Sequence, residues 1–201
     1  MSALPTSGVK MTEAEYLVFE RASELKHELI DGEIVDMTGA SFAHNVINLN
    51  VATSLRNQLR GRPCSTVSSD MRVKMAKSNY AYPDTSVVCG DPQFGDNGVD
   101  TLLNPTLIIE VLSPSTERYD RGKKFQAYRE IESLQEYVLI AQDSPRIERY
   151  VRQEHGFWQF ADVSGLAAQI ELVSINCILT LAEVYEQVTF TADDALPSEL
   201  S

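Results

Sequence analysis

The sequence has no long apolar segment. None of its hydrophobic runs approaches the ~18 residues that a membrane-spanning helix needs. Its first residues, 1–16, also lack the basic start and the apolar stretch of a secretory signal peptide. We therefore expect a chain that does not enter a membrane and that stays in the cytoplasm.

Cysteine is scarce and its spacing carries little information. The chain has three cysteines, Cys64, Cys89 and Cys177, and no C-x-x-C pair. An odd number of widely separated cysteines indicates neither a disulfide framework nor a zinc site. The sequence therefore predicts three unpaired thiols that are buried or half-buried.

Positive charge is in short supply. The chain of 201 residues has 17 Lys and Arg against 29 Asp and Glu, so its formal net charge is −12. Such a balance argues against loose attraction to nucleic-acid phosphates. The basic residues are nevertheless concentrated in two stretches of the sequence. These are Arg56, Arg60, Arg62, Arg72, Lys74 and Lys77, and then Arg118, Arg121, Lys123, Lys124 and Arg129.

The remaining pattern predicts one α/β domain with a mixed β-sheet. An apolar content of 43 % excludes disorder as the main state, and the length allows a single buried core. Residues 1–11 are predicted to form a flexible arm, 12–190 a single domain and 191–201 a polar tail.

Helices are predicted where a capping residue precedes apolar residues at helical spacing. They cover about 12–22, 41–60, 115–131 and 181–185. The predicted strands lie near 27–30, 33–37, 65–67, 71–75, 85–89, 106–112, 137–141, 146–152, 157–160 and 170–173, with a long acidic loop over 90–105. Asp31-Gly32 is a strong turn signal, and the strand–helix–strand order over 106–141 indicates a right-handed crossover within a mixed sheet. An antiparallel hairpin region follows.

Two acidic residues mark the strands as unusual. Glu110 interrupts T-L-I-I-E-V-L, an apolar run typical of a strand covered on both faces, where a carboxylate needs a partner, a proton or a metal. Asp84 follows Pro83, which forces extended backbone at the start of the strand 85–89. If the two strands are neighbours, both carboxylates converge at one end of the sheet and repel unless a cation joins them. Oxygen ligands suit Mg²⁺ or Mn²⁺.

Lys124 is the third candidate. Asp120, Lys124 and Tyr128 share one i, i+4 line of the predicted helix, so Lys124, unlike Lys123, is expected to point toward the sheet. A lysine beside two metal-binding carboxylates can orient a nucleophilic water and offset charge on a phosphate. A partly buried Glu110–Lys124 ion pair without a catalytic role explains the same spacing equally well.

The order of these motifs resembles a known family. P-D at 83–84, E-V-L-S over 110–113 and D-x-x-x-K-x-x-x-Y over 120–128 are similar to the sites of the restriction-endonuclease-like PD-(D/E)XK nuclease superfamily. They resemble more closely the Uma-type family of proposed restriction endonucleases, formerly a domain of unknown function. E-L-I-D-G-E over 28–33, His44 and E-Y at 136–137 extend the likeness to about 12–190.

The resemblance implies a restriction-endonuclease-like α/β fold and Mg²⁺- or Mn²⁺-dependent cleavage of DNA by a homodimer. Asp84, Glu110 and Lys124 would be the catalytic residues, and Asp84, Glu110 and the main-chain carbonyl of Val111 would bind the metal. In the wider superfamily the lysine stands two residues after the glutamate, where this chain has Leu112. The lysine has moved to the helix, as in the Uma-type family. Glu28, His44, Asp120 and Tyr128 are expected to be accessory residues.

A different class of function stays open. The same scaffold, without catalysis, could bind DNA or mediate dimerisation, and the net charge of −12 favours this alternative because it weakens unspecific affinity for DNA. Other catalytic motifs are missing: Gly122-Lys123 lacks the remainder of a P-loop, and the sequence has no G-x-S-x-G nucleophile elbow.

Overall fold

The computed structural model of the chain describes residues 2–95, 98 and 100–190. Two six-stranded sheets form its frame, together with helices and a small hairpin sheet. The strands are β1 Ser2–Lys10, β2 His27–Ile30, β3 Glu33–Thr38, β4 Cys64–Ser68, β5 Arg72–Lys74, β6 Tyr80–Ala81, β7 Thr85–Cys89, β8 Thr101–Leu102, β9 Leu107–Leu112, β10 Glu136–Ala141, β11 Arg146–Arg152, β12 Trp158–Ser164, β13 Gln169–Leu172 and β14 Cys177–Thr180. The helices are α1 Glu13–Ala22, α2 Phe42–Gln58, α3 Glu117–Tyr119, α4 Phe125–Tyr128 and α5 Leu181–Val184.

The main sheet has the strand order β12-β11-β10-β9-β7-β4. Strands β9 and β10 are parallel, as the predicted crossover requires, and the other neighbours are antiparallel. The N-terminal sheet has the order β1-β3-β2-β6-β5-β8, in which β5 and β8 are parallel. The fold is therefore the predicted mixed α/β fold with helices flanking the sheets. The predicted antiparallel hairpin is formed by β11 and β12, and β13 and β14 form a further small antiparallel sheet.

The main sheet separates two hydrophobic cores. Alternate residues of a strand face opposite sides of a sheet, and in β9 Ile109 faces one core while Ile108 faces the other. The first core packs against α2, which buries Ile47, Val51 and Leu55, and against α5. The second core packs against the N-terminal sheet and the crossover helix.

Local signals in the sequence account for several element boundaries. Thr12 and Glu15 form the predicted capping box of α1, and the side chain of Ser41 caps α2 by accepting from the N–H of His44. Asp31 and Gly32 both have positive φ, at 51° and 81°, which is the backbone of the predicted two-residue hairpin turn between β2 and β3.

The crossover helix contains a wider turn than the sequence predicts. Between α3 and α4, residues Asp120–Lys124 form a π-helical turn, so one helical stretch runs over 117–128 and ends before the predicted 131. Both Asp120 and Lys124 are buried at the ends of this turn. Such turns insert one extra residue and change which side chains share a face.

Three structural details differ from the predictions. The prediction of unpaired thiols is wrong for Cys64 and Cys89, which form a disulfide because β4 and β7 place them directly opposite each other. Only Cys177 is a free, buried thiol among the described cysteines. Residues 2–10, predicted as part of a flexible arm, form β1 along the edge of β3. Short β6 and β8, and β14, are strands that we did not predict.

The predicted polar tail, 191–201, lies outside the described residues. In the described part of the chain, no helix is both long enough and apolar enough to cross a membrane.

Candidate active site

Four elements deliver charged side chains to one buried cluster. Glu28 comes from β2, Asp84 from the residue before β7, Glu110 from β9 and Lys124 from the crossover helix. All four side chains are buried, with at most 5 % of their surface exposed. The three predicted catalytic residues, far apart in the sequence, therefore meet in one place.

Asp84 is held by both of its carboxylate oxygens. The antiparallel pairing of β7 with β9 brings the start of β7 beside the end of β9, where the Val111 N–H donates to Asp84 Oδ2 at 2.8 Å. His44 Nε2 donates to Asp84 Oδ1 at 2.9 Å. Burial would raise the pKa of the Asp84 carboxyl, but the hydrogen bond and the attraction of His44 hold it below its usual value. Asp84 is thus an oriented carboxylate.

Glu110 faces the second core and lies beside Lys124. Lys124 Nζ is 2.9 Å from Glu110 Oε1, the Tyr128 hydroxyl donates to the same oxygen at 3.0 Å, and the Asp84 N–H donates to Oε2 at 3.4 Å. Burial and the surrounding acids raise the pKa of Glu110 to about 8, although Lys124 lowers it. Burial therefore opposes the charge of the Glu110 carboxylate, and the Lys124 ammonium beside it favours that charge.

Lys124 is the cation at the centre of the cluster. Besides Glu110, its Nζ contacts Glu28 Oε1 at 3.1 Å and Asp120 Oδ1 at 3.6 Å. Burial opposes its charge, but Glu110 and Glu28 outweigh burial and hold the pKa of Lys124 well above its usual value. Lys123, the neighbouring residue, is exposed, as the helical spacing predicts. Lys124 therefore stays a charged ammonium inside the fold.

Three further residues of the crossover helix lie beside Glu110 and Lys124. The pKa of the buried Asp120 is raised, first by its burial. Burial also raises the pKa of the Tyr128 hydroxyl, so it remains a hydrogen-bond donor to Glu110. The Tyr119 ring lies 5.9 Å from Lys124 Nζ, within reach of a cation–π interaction.

The cluster contains more acid than base. The cluster has four carboxyl groups, those of Glu28, Asp84, Glu110 and Asp120, and one ammonium group, which contacts all of them but Asp84. Glu28 Oε1 accepts from the Tyr82 N–H at 3.2 Å, whereas the buried Glu28 Oε2 has no hydrogen-bond partner within the described part of the chain. A buried carboxylate oxygen without a partner is costly, so this position suits a cation or a donor.

The donor set suits a hard divalent cation in its chemistry. Carboxylate oxygens are the ligands that Mg²⁺ and Mn²⁺ prefer. Within residues 2–95, 98 and 100–190, however, no three His, Cys, Asp or Glu side chains are already arranged to hold a metal. Lys124 lies among the carboxylates instead, so a bound ion requires these side chains to reorient.

Comparison with known proteins identifies the family. The model of the family Uma2, described as "Putative restriction endonuclease", matches residues 13–182, most of the chain. The chain belongs to the Uma2 family. The resemblance given by the sequence motifs is therefore confirmed, and the site lies within the matched region.

The chain is also similar to two full-length relatives and to a solved structure. The Uma2-family chain is 36 % identical over 182 residues to uncharacterized protein slr1290 of Synechocystis sp. (strain ATCC 27184 / PCC 6803 / Kazusa), covering 90 % of this chain and 94 % of the relative. It is 40 % identical over 162 residues to uncharacterized protein sll1609 of the same organism, covering 80 % and 92 %. A crystal structure from Anabaena variabilis ATCC 29413, described as a "putative nuclease belonging to DUF820", has the same fold, with a TM-score of 0.73, 19 % identity and coverage of 89 % and 99 %.

Sequence reasoning missed two residues that support the Uma2-family site. Asn48 donates from Nδ2 to the Asp84 carbonyl at 3.1 Å and accepts from the Thr85 hydroxyl at 2.6 Å. The signal was available, because Asn48 stands four residues after His44 on the same helix. Tyr82 acts through its backbone N–H, which no side-chain pattern reveals.

Proposed function

We propose that this Uma2-family protein is a divalent-metal-dependent DNA endonuclease. The observation that carries the proposal is that Asp84 lies beside Glu110 on the neighbouring strand, while Glu110 is paired with Lys124 from the following helix. Buried clusters of acids with shifted pKa values around a lysine are typical of active sites. Membership of the Uma2 family supports a nuclease, and DNA is the substrate of a restriction endonuclease.

Mg²⁺ or Mn²⁺ is the proposed cofactor. Asp84, Glu110 and the carbonyl of Val111 would hold the ion, and the unpartnered Oε2 of Glu28 would be an additional contact. When bound, the cation would offset the surplus of negative charge and polarise a phosphodiester for hydrolysis.

The chain's own residues have distinct parts in the proposed reaction. The Lys124 ammonium would stabilise the charge that develops on the phosphate and orient the attacking water. His44 and the Val111 N–H orient Asp84, while the Tyr128 hydroxyl orients Glu110, so these are positioning contacts. Pre-orientation of such groups avoids reorganisation during the reaction.

One observation favours the alternative function, a catalytically inactive nuclease-like scaffold that binds DNA or mediates dimerisation. Lys124 is only 5 % exposed and Glu110 only 3 %, so a phosphate cannot reach them unless the site opens. Under this alternative the cluster would be an internal ion-pair network.

Cleavage of supercoiled plasmid DNA tests the proposal. We expect nicking in Mg²⁺ or Mn²⁺ and none in EDTA. Asp84→Asn, Glu110→Gln and Lys124→Met should each reduce the rate by about 10²-fold or more, because each removes a charge that acts on the phosphate or the cation. Lys123→Met is the matched control, since it removes the exposed neighbouring charge, and it should nick at the wild-type rate.

Calorimetric titration with Mn²⁺ separates the two functions. Binding to the wild type that disappears in Asp84→Asn supports the enzyme. If the folded wild type shows neither metal binding nor nicking, the endonuclease is wrong and the scaffold is favoured. The homodimer also stays a proposal, and analytical ultracentrifugation of the full chain would test it.

A further inference from the structure

A long stretch of this acidic chain contains no acidic residue. Although the chain has 29 Asp and Glu, none occurs from residue 37 to residue 69. This segment comprises the whole of α2, the turn after it and the edge strand β4. It contains three arginines, Arg56, Arg60 and Arg62, and is therefore a basic segment of an acidic chain.

The basic residues between 56 and 77 differ in whether they form ion pairs with carboxylates. Arg72 is buried with a guanidinium-to-carboxylate distance of 3.3 Å to Asp100, and Lys74 is ion-paired with Glu13. Arg56 and Arg60 are exposed, and neither forms an ion pair with a carboxylate in the part of the chain described here. Their charges remain available to a partner.

Arg56 and Arg60 line a surface cavity of about 530 Å³. Arg56, Arg60, Arg62, Ser65 and Thr66 contribute to its lining. The Arg62 guanidinium donates to the backbone carbonyls of residues 175 and 176, which fix its position without neutralising its charge. Guanidinium groups, and hydroxyls such as that of the exposed Ser65, are groups that proteins use to contact phosphates.

The cavity is connected to the candidate active site by one rigid element. His44, near the start of α2, contacts Asp84, while Arg56 and Arg60 lie at the end of the helix and just beyond it. With a rise of 1.5 Å per residue, Arg56 and Arg60 stand about 18 and 24 Å from His44 along the helix axis. Phosphates repeat every ~3.4 Å along one DNA strand, so this span corresponds to roughly five to seven nucleotides.

We propose that the outer face of α2 and the arginine cavity at its end bind the phosphate backbone of duplex DNA. This inference rests on the proposed function, because it takes DNA as the partner. It adds the surface on which the DNA lies outside the candidate active site. The backbone is held about five to seven nucleotides from the phosphate at Asp84. Charge complementarity selects the occupant, because a segment that has arginines and no acidic residue attracts a polyanion although the chain as a whole is acidic.

Binding of a labelled duplex of about 30 base pairs to the full-length protein tests this inference. The measurement is fluorescence anisotropy in EDTA, where no cleavage occurs, at several salt concentrations between about 50 and 200 mM. In Arg56→Ala/Arg60→Ala we expect at least about a tenfold loss of affinity at the lowest salt. The slope of log affinity against log salt should fall by about two, since each lost phosphate contact removes close to one unit.

The control removes two exposed charges elsewhere. Lys10→Ala/Arg129→Ala changes the net charge equally, but these residues belong to β1 and to the end of the crossover helix rather than to the cavity. This variant should keep more than half of the wild-type affinity and the full salt slope. Thermal melting checks that both variants are folded.

The outcomes distinguish this inference from the proposed function. If the wild type binds DNA through these arginines but does not nick it, the inference stands and the endonuclease fails. If the wild type nicks DNA but Arg56→Ala/Arg60→Ala binds like the wild type, the inference is wrong and the endonuclease stands. A lowered melting temperature with unchanged DNA affinity would also overturn the inference, because arginines at a helix C-terminus can serve stability alone. So would a wild type that does not bind DNA.

Discussion

The candidate site holds several charged side chains together in the interior of the protein. Burying a single carboxylate is costly, and this cluster buries four, so the position of Lys124 is critical. Its ammonium contacts three of the carboxyl groups within 3.6 Å. The remaining one, Asp84, is satisfied by His44 and a backbone N–H. Glu28, Asp84 and Glu110 are thus each held by a partner from another element, which pre-orients the cluster.

Glu13 lies outside the candidate site and allows the contribution of a single ion pair to stability to be tested. Lys74, at 2.5 Å, Ser78, at 2.6 Å, and Tyr80 all contact its carboxylate and lower its pKa to about 2. Because the folded-state pKa lies below the usual value of 4.5, Glu13 stabilises the fold above about pH 4.5, and this contribution disappears as pH falls toward 2.

We expect Glu13→Gln to destabilise the protein by about 1 kcal/mol at pH 7, a figure reduced for the partial exposure of the pair. Urea denaturation at pH 7, 4 and 2.5 should show the difference from the wild type shrinking as the pH falls. The exposed Glu154→Gln is the control and should leave the unfolding midpoint unchanged. A difference that is constant with pH would exclude the ion-pair explanation.

At the scale of single residues, the sequence predicts the site well where a residue breaks a pattern. Glu110 stands out because it interrupts an apolar strand, and Lys124 because helical spacing turns it inward. Glu28 and His44 break no pattern, and only the family resemblance pointed to them. Their roles depend on which strands and helices meet in space, which single-residue chemistry does not encode.

At the scale of elements, the sequence predicts features that depend on neighbouring residues in the chain. It does not predict features that depend on which strands pair. The capping box of α1, the Asp31-Gly32 turn and the cap of α2 are local, and all three were predicted. Strands β6 and β8 have two residues each, too few for any periodicity, and exist because neighbouring strands pair with them. The disulfide has the same origin, since the register of β4 against β7 brings its cysteines together.

The Cys64–Cys89 disulfide is expected to stabilise the protein. It closes a loop with a sequence separation of 25 residues, for which the loss of unfolded-chain entropy corresponds to about 3.5 kcal/mol. Cys64→Ala/Cys89→Ala should lower the free energy of unfolding by roughly this amount in urea denaturation. Cys177→Ala is the control, because it removes a cysteine that is not part of the disulfide. In this variant a reductant should lower the free energy of unfolding as much as it does in the wild type. Equal midpoints for oxidised and reduced wild type would contradict the prediction.

At the scale of the whole molecule, the main sheet divides the core that packs against α2 from the core that surrounds Glu110. Adjacent residues of β10 show this division: Leu139 faces the second core and lies beside Glu110 on β9, whereas Ile140 faces the first core. Both are almost completely buried and have the same number of carbon atoms. They form a matched pair for testing how packing is coupled to the site.

Leu139→Ala and Ile140→Ala should each destabilise the fold by about 2–5 kcal/mol, because each leaves a cavity in a packed core. Their effects on catalysis should differ. A cavity beside Glu110 lets that carboxyl move relative to Lys124, and small displacements of such groups are costly to catalysis. We expect single-turnover nicking, corrected for the folded fraction from urea denaturation, to fall about tenfold or more in Leu139→Ala and less than about twofold in Ile140→Ala. Equal losses would show that the two cores act as one unit, and the site would then depend on global rigidity rather than on the layer that surrounds it.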